Sequence, residues 1–88
     1  MLDRTDVAST DRITRIVRSL LAKRSIEAPV GRDDDLAASG LSSLDIVNLM
    51  LAVETEFDLT IPERDMTPAN FRSIGRIEAL LRGLMIKD

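Results

Sequence analysis

A chain of 88 residues with no histidine and no cysteine has few groups that can do chemistry. There is no imidazole to act as a base near neutral pH and no thiolate to attack a substrate or hold zinc. An intrinsic enzyme would have to work with carboxylates, lysine and arginine alone, so the chain is read as non-catalytic and without a metal site. One hydroxyl pair stands in a suggestive setting. The run Asp35-Leu36-Ala37-Ala38-Ser39-Gly40-Leu41-Ser42-Ser43-Leu44-Asp45 closes a polar loop with a glycine turn and presents two serines where an apolar helix begins. Ser43 falls in the first turn, beside backbone N–H groups that have no partner inside the helix and at the positive end of the helix dipole. A negatively charged group on its hydroxyl is favoured there. The plainer alternative is that both serines simply start a helix, as serine commonly does.

The elements that position this turn follow from apolar spacing. Ile13, Ile16, Val17, Leu20 and Leu21 recur at helical intervals and predict a first helix from about Asp11 to Arg24, with Ser9 or Thr10 as N-cap and residues 1–9 as a flexible tail. Ile26 to Ser42, holding Pro29, Gly31 and Gly40, reads as a long loop anchored by Ile26, Val30, Leu36 and Leu41. The second helix is predicted over Ser43 to Phe57, capped by Ser42 with Asp45 in a reciprocal capping arrangement. Its apolar residues form two adjacent rows, Leu44, Val47, Leu51 and Ile46, Met50, Val53, Phe57, wider than one neighbour requires. Such a helix packs against several others or keeps an apolar strip for a visitor. Thr67-Pro68 predicts a short helix over Pro68 to Phe71, and Ser73 caps a last helix reaching about Met85. Gly75 weakens its first turn by roughly 1 kcal/mol relative to alanine unless close packing needs it. The fold class is therefore all-α, a small bundle of three main helices and one short one, with a long loop between the first and second, in a single domain over 1–88.

Composition is consistent with this. Apolar residues make up 44% of the chain but aromatics only 2%, Phe57 and Phe71, so the core is aliphatic, with Phe57 as an anchor and Met50 and Met85 as filler. Residues 33 to 65 carry nine acids against the single base Arg64, which reads as an acidic face, Glu56 being a solvated member of it. Arg12, Arg15, Arg18, Lys23 and Arg24 form a basic cluster, but no aromatic platform accompanies it, so it reads as a solvated helix face and nucleic acid is not expected as a partner. No run approaches membrane-spanning length and the first residues lack the apolar core of a signal peptide, giving a cytoplasmic monomer as the expectation.

Gly40, Ser43-Leu44, Val47, Glu54, Glu56-Phe57 and Ile61-Pro62 stand in the register of the acyl and peptidyl carrier proteins, whose pattern is Gly-x-Asp-Ser-Leu followed by a helix closing on Glu-x-x-Phe-x-x-x-Ile-Pro. The chain resembles that family. The resemblance implies that Ser43 carries a covalent 4'-phosphopantetheine arm, moved from coenzyme A by a phosphopantetheinyl transferase, on whose thiol an activated acyl or aminoacyl group is held as a thioester. It also implies two further partners, a loading ligase and a downstream acyl-transfer enzyme. Ala38-Ser39-Gly40-Leu41-Ser42-Ser43, Asn48-Leu49-Met50-Leu51 and Phe71-Arg72-Ser73-Ile74 look most like the stand-alone aminoacyl carrier proteins loaded by amino acid:carrier protein ligases.

The match departs from the pattern at Ser42, where the family usually has aspartate. Asn48, Thr55 and Thr60 also stand at positions often acidic in fatty-acid carriers, which thins the charge of the docking face and suggests a dedicated partner. Docking is expected through Ser42, Leu44, Asp45, Val47 and Glu54, with the acids steering a basic partner in a salt-dependent way. The rival reading is an unmodified acidic helical module for protein–protein interaction.

Overall fold

The first helix starts earlier than its apolar pattern announces. The computed structural model describes the backbone of residues 4–86 and the side chains of residues 9–85, and in it α1 spans Arg4–Ala22. The chain passes through Ser9 and Thr10 without capping there, because nothing before Pro29 breaks a helix and the polar opening turns leave no periodic signal. Met1 to Asp3, the rest of the expected tail, lie outside the described residues. Ile13, Val17 and Leu21 are buried as the spacing predicts. The helix closes on a left-handed Ser25, φ 62°, with the Ile26 N–H donating to the Leu21 carbonyl at 3.0 Å.

The long loop is not featureless. It contains α2, Leu36–Ser39, opened by the Asp35 side chain accepting from the Ala37 and Ala38 N–H groups and closed by Gly40. Gly40 takes φ 125°, which L side chains rarely adopt, so the backbone of this turn requires glycine, and a Cβ there would also press on Ile26 Cδ1. Leu36 and Leu41 are buried and Ile26 and Val30 pack against the core, the four anchors expected of the loop.

α3 spans Ser43–Phe57, the range the sequence predicts, and ends on a left-handed Asp58. Two 3-10 turns follow, Glu63–Asp65 and Pro68–Phe71. The second is opened by Thr67, whose hydroxyl accepts from the Asn70 N–H at 3.4 Å. The short helix expected at Pro68 is thus a 3-10 turn. α4 spans Ile74–Ile86, with the Ser73 hydroxyl accepting from the Arg76 N–H at 3.2 Å. Gly75 lies close against the loop: its N–H donates to the Arg32 carbonyl at 2.9 Å, and a Cβ would lie 3.3 Å from both Arg32 Nη1 and Asp33 Oδ1, so those side chains would have to give way.

The result is an all-α bundle with no strand among the described residues, in which α1 packs on both α3 and α4. Leu49 and Val53 of α3, Phe71, and Ile74, Ile77 and Leu81 of α4 complete the aliphatic core. Met50 is buried as expected, but Met85 is 49% exposed and is not core filler, because it falls on the outer side of the last turns of α4. Glu78 is the buried acid the sequence does not announce. It accepts from the Thr10 hydroxyl of α1 and from the Arg32 guanidinium of the loop, fastening both to α4.

Candidate functional site

The amino terminus of α3 is built as a capping box. The Ser42 hydroxyl accepts from the Asp45 N–H at 3.2 Å while the Asp45 carboxylate accepts from the Ser42 N–H at 2.9 Å. A third residue joins them. Arg24, just beyond the end of α1, donates from Nε to Asp45 Oδ2 and from Nη2 to Ser42 Oγ, the latter at 3.1 Å. Asp45 is only 9% exposed. The Arg24 hydrogen bond, followed by that from the Ser42 backbone, lowers its carboxyl from 3.8 to about 2 against the opposing effect of burial.

The two adjacent serines are therefore not equivalent. Both lone pairs of Ser42 Oγ accept hydrogen bonds, from Asp45 and from Arg24. Ser43 Oγ enters none of the hydrogen bonds found among the described residues, and Ser43 is exposed. It sits at the first helical position, where the backbone N–H groups of the opening turn face outward.

The exposed side of α3 continues from Ser43 through Leu44, Val47, Asn48, Leu51 and Thr55. Leu44 is 67%, Val47 46% and Leu51 52% exposed, an apolar strip left free by the core, as the doubled apolar rows imply. This face carries no charge. Glu54 turns its carboxylate to the Ile61 N–H at 2.7 Å, pinning the segment after α3. Glu56 pairs with Arg12 of α1 at 2.6 Å, and the same guanidinium lies 4.3 Å from the Phe57 ring centroid, which is half-buried. Asp35 caps α2. Much of the acidic face expected from the sequence is thus spent on internal contacts, and two members of the basic cluster, Arg12 and Arg24, receive part of it. On the other side of α3, Ile46, one turn on from Ser43, borders a groove of about 380 Å³ that it shares with Ala37, Pro68, Ala69 and Phe71, the Asp35–Arg72 ion pair standing at the rim.

Ionised Asp45 stabilises the fold because its carboxyl titrates lower in the folded chain than in the unfolded one. The contribution is complete above the ordinary aspartate range and is lost as the pH falls from about 4 to about 2. Thermal unfolding of wild type and Asp45→Asn across that range is expected to show wild type ahead at the upper end and the two converging at the lower. A constant gap would mean that the Asp45 charge plays no part.

No group of described histidine, cysteine or acidic residues is placed to hold a metal ion, and no described helix is long and apolar enough to cross a membrane. The family described as a phosphopantetheine attachment site matches residues 11–81. Aminoacyl carrier protein 1 of Bradyrhizobium diazoefficiens is 43% identical over 77 residues, covering 88% of this chain and 83% of its own, and aminoacyl carrier protein 2 of that organism is 42% identical over 77 residues, covering 88% and 86%. Among solved structures, a chain in the crystal structure of Bradyrhizobium japonicum glycine:carrier protein ligase complexed with glycylated carrier protein superposes with a TM-score of 0.77 at 38% identity, covering 83% of this chain and 97% of that one. The complex of that ligase with its cognate carrier protein and an analogue of glycyl adenylate gives the same TM-score at 37% identity, with 85% and 96% covered. The family match runs from α1 to α4 and so takes in every element that holds the first turn of α3 in place; the chain belongs to the phosphopantetheine-dependent carrier proteins, a non-catalytic family whose members bear a phosphopantetheine arm.

Proposed function

We propose that Ser43 is the residue that bears the arm, and that the chain, as one carrier domain, is an aminoacyl carrier protein loaded by an amino acid:carrier protein ligase. The observation that carries the attachment is the contrast between the two serines: both are exposed, but Ser42 Oγ is occupied as an acceptor twice over, while Ser43 Oγ is uncommitted. The surroundings fit the group. An anionic phosphodiester on Ser43 meets the N–H groups of the first turn of α3, and the groove beside Ile46 offers the arm an apolar resting surface within one turn. In the transfer, Ser43 Oγ bonds to the pantetheine-side phosphorus of coenzyme A as the P–O–P bridge breaks, its proton passes to a base on the transferase, and the nucleotide leaves as adenosine bisphosphate. The arm supplies the thiol that this cysteine-free chain lacks, and aminoacyl cargo is held on it as a thioester.

The aminoacyl assignment is supported by the two Bradyrhizobium relatives and by the neighbours found in complexes with a glycine:carrier protein ligase. Intact mass tests both parts. Incubation with coenzyme A and a broad-specificity transferase is expected to add one arm, about 340 Da. A second incubation with the ligase, ATP and glycine is expected to add one glycyl group. Failure of the first step while a control carrier is modified defeats the attachment proposal; failure of the second with all proteinogenic amino acids defeats the aminoacyl one.

Docking is assigned to the neutral strip of Leu44, Val47 and Leu51, since Asp45 and Glu54 are engaged within the chain. Leu44→Asp is expected to slow ligase loading at least tenfold with helicity unchanged, because a largely exposed side chain contributes little to the core. Arg15→Glu, on the exposed side of α1, is the control. Equal loading rates for the two variants, with a steep salt dependence in both, would move recognition away from the strip.

A further inference from the structure

The chain has two carboxamide side chains, and the fold uses them differently. Asn70 sits in the second 3-10 turn and donates from Nδ2 to the Asp65 carbonyl at 2.9 Å. Asn48 stands exposed in the interior of α3, and its side chain enters none of the hydrogen bonds found among the described residues. Asparagine is one of the weaker helix formers, so α3 would hold at least as well with alanine there. The surroundings of Asn48 are apolar. It follows Leu44 by four residues and precedes Leu51 by three, which sets it between two exposed leucines on the helix surface. Thr55, further along the same face, turns its hydroxyl back to the Leu51 carbonyl at 3.1 Å. Asn48 is therefore an uncommitted donor and acceptor inside an apolar patch.

We propose that Asn48 is a specificity-determining residue for the loading ligase: its carboxamide pairs with an amide group, side-chain or main-chain, presented by a neutral apolar socket on that enzyme, with Leu44 and Leu51 closing water out on either side. The proposal rests on the reading of this chain as a carrier loaded by an amino acid:carrier protein ligase. The strip starts at Ser43, so a partner seated on it lies beside the residue assigned the arm. The chemistry of the strip selects what covers it. This face carries no charge, and Asp45, Glu54 and Glu56 of the same helix are engaged within the chain. A basic socket would bury its own cations here without a counter-charge, which costs binding. A socket lined by apolar groups alone would strip the Asn48 carboxamide of water and leave its N–H donors and its oxygen unpaired. An amide opposite satisfies both, because it offers an acceptor and a donor together. A partner that lacks it leaves a buried polar group without a bond, and that penalty is what discriminates.

The test uses the chain with its arm attached, full modification of each variant being verified by intact mass, and measures ligase loading with ATP and the amino acid that wild type accepts. Asn48→Ala is expected to raise KM for the carrier about fivefold with kcat unchanged, the loss of one interfacial hydrogen bond. It is also expected to unfold no earlier than wild type, since alanine is the better helix former. Weaker recognition with undiminished stability is a pairing that a merely structural role does not produce. Asn48→Asp keeps the shape but replaces the donors by a charge, and is expected to raise KM roughly tenfold or more. Arg15→Glu is the control and loads as wild type does. Asn48→Ala at the wild-type KM, or a higher KM accompanied by earlier unfolding, overturns the proposal. So does Asn48→Asp with a KM below that of wild type, which would mean a basic socket. A wild-type chain that no amino acid loads removes the aminoacyl reading and this inference with it, whereas a wild type that loads beside Asn48 variants that load equally removes the role of Asn48 alone.

Discussion

Ser43→Ala is expected to yield a chain that folds as the wild type does and gains no mass from coenzyme A and the transferase, a loss of at least a thousandfold in the rate of modification. The separation of folding from loading follows from the structure of the turn. Ser43 has no hydrogen bond among the described residues and is exposed, so its hydroxyl can be removed without leaving a buried group unpaired. The helix start is held by Ser42, Asp45 and Arg24, none of which is altered. Alanine at the first helical position is a good helix former. Ser42→Ala gives the converse result. It removes the acceptor for the Asp45 N–H and for Arg24, costing about 1 kcal/mol of stability as N-cap removals do, while the hydroxyl of Ser43 remains and accepts the arm. Intact mass and thermal unfolding on the two variants side by side check this. Residual modification of Ser43→Ala, or loss of modification in a folded Ser42→Ala, would transfer the attachment to Ser42.

Phe71→Ala is expected to be the most damaging single truncation for the fold. Phe71 is fully buried and is the larger of the chain's aromatic commitments to the core, since Phe57 is only half-buried. It ends the second 3-10 turn, which packs against both α3 and α4, so the void left by alanine falls where three elements meet. Removal of a buried phenylalanine side chain costs about 3–5 kcal/mol, the transfer free energy of the lost atoms together with the cavity that the neighbours do not close. A domain of this size holds at the low end of about 5–15 kcal/mol in reserve. The midpoint of thermal unfolding is therefore expected to fall by about 20 °C. Loading falls with it at temperatures where the variant unfolds, and recovers on cooling, which distinguishes lost fold from lost chemistry. Phe71→Leu, which refills most of the volume, is expected to cost about 1 kcal/mol. A midpoint within a few degrees of wild type for Phe71→Ala would mean that α3 and α4 close around the gap.

The amino-acid sequence by itself determines the helical class, the limits of α3, the capping box and the setting of Ser43, because each is encoded within a few neighbouring residues. Ser42 and Asp45 are three positions apart, and the period that places Leu49 and Val53 inside also places Leu44, Val47 and Leu51 outside. α2 was within reach of the same reasoning, with Asp35 before it and Gly40 after it, but at four residues it is too short to show a period. The start of α1 was not within reach, for its opening turns are polar and show no periodicity.

Tertiary structure decided how the charges are used. A cluster of acids in the middle of the chain reads as a face open to partners. Folding brings Arg24 to Asp45 across 21 positions and Arg12 to Glu56 across 44, and folds the segment after α3 back so that the Ile61 N–H reaches Glu54. Arg32 reaches Glu78 across 46 in the same way. Which acid meets which base depends on where helix packing sets the side chains, and local spacing holds no record of that. The exposed side of α3 that begins at Ser43 is consequently neutral and largely apolar, and of two adjacent serines only one keeps a free oxygen, because the guanidinium that occupies the other arrives from the far end of α1.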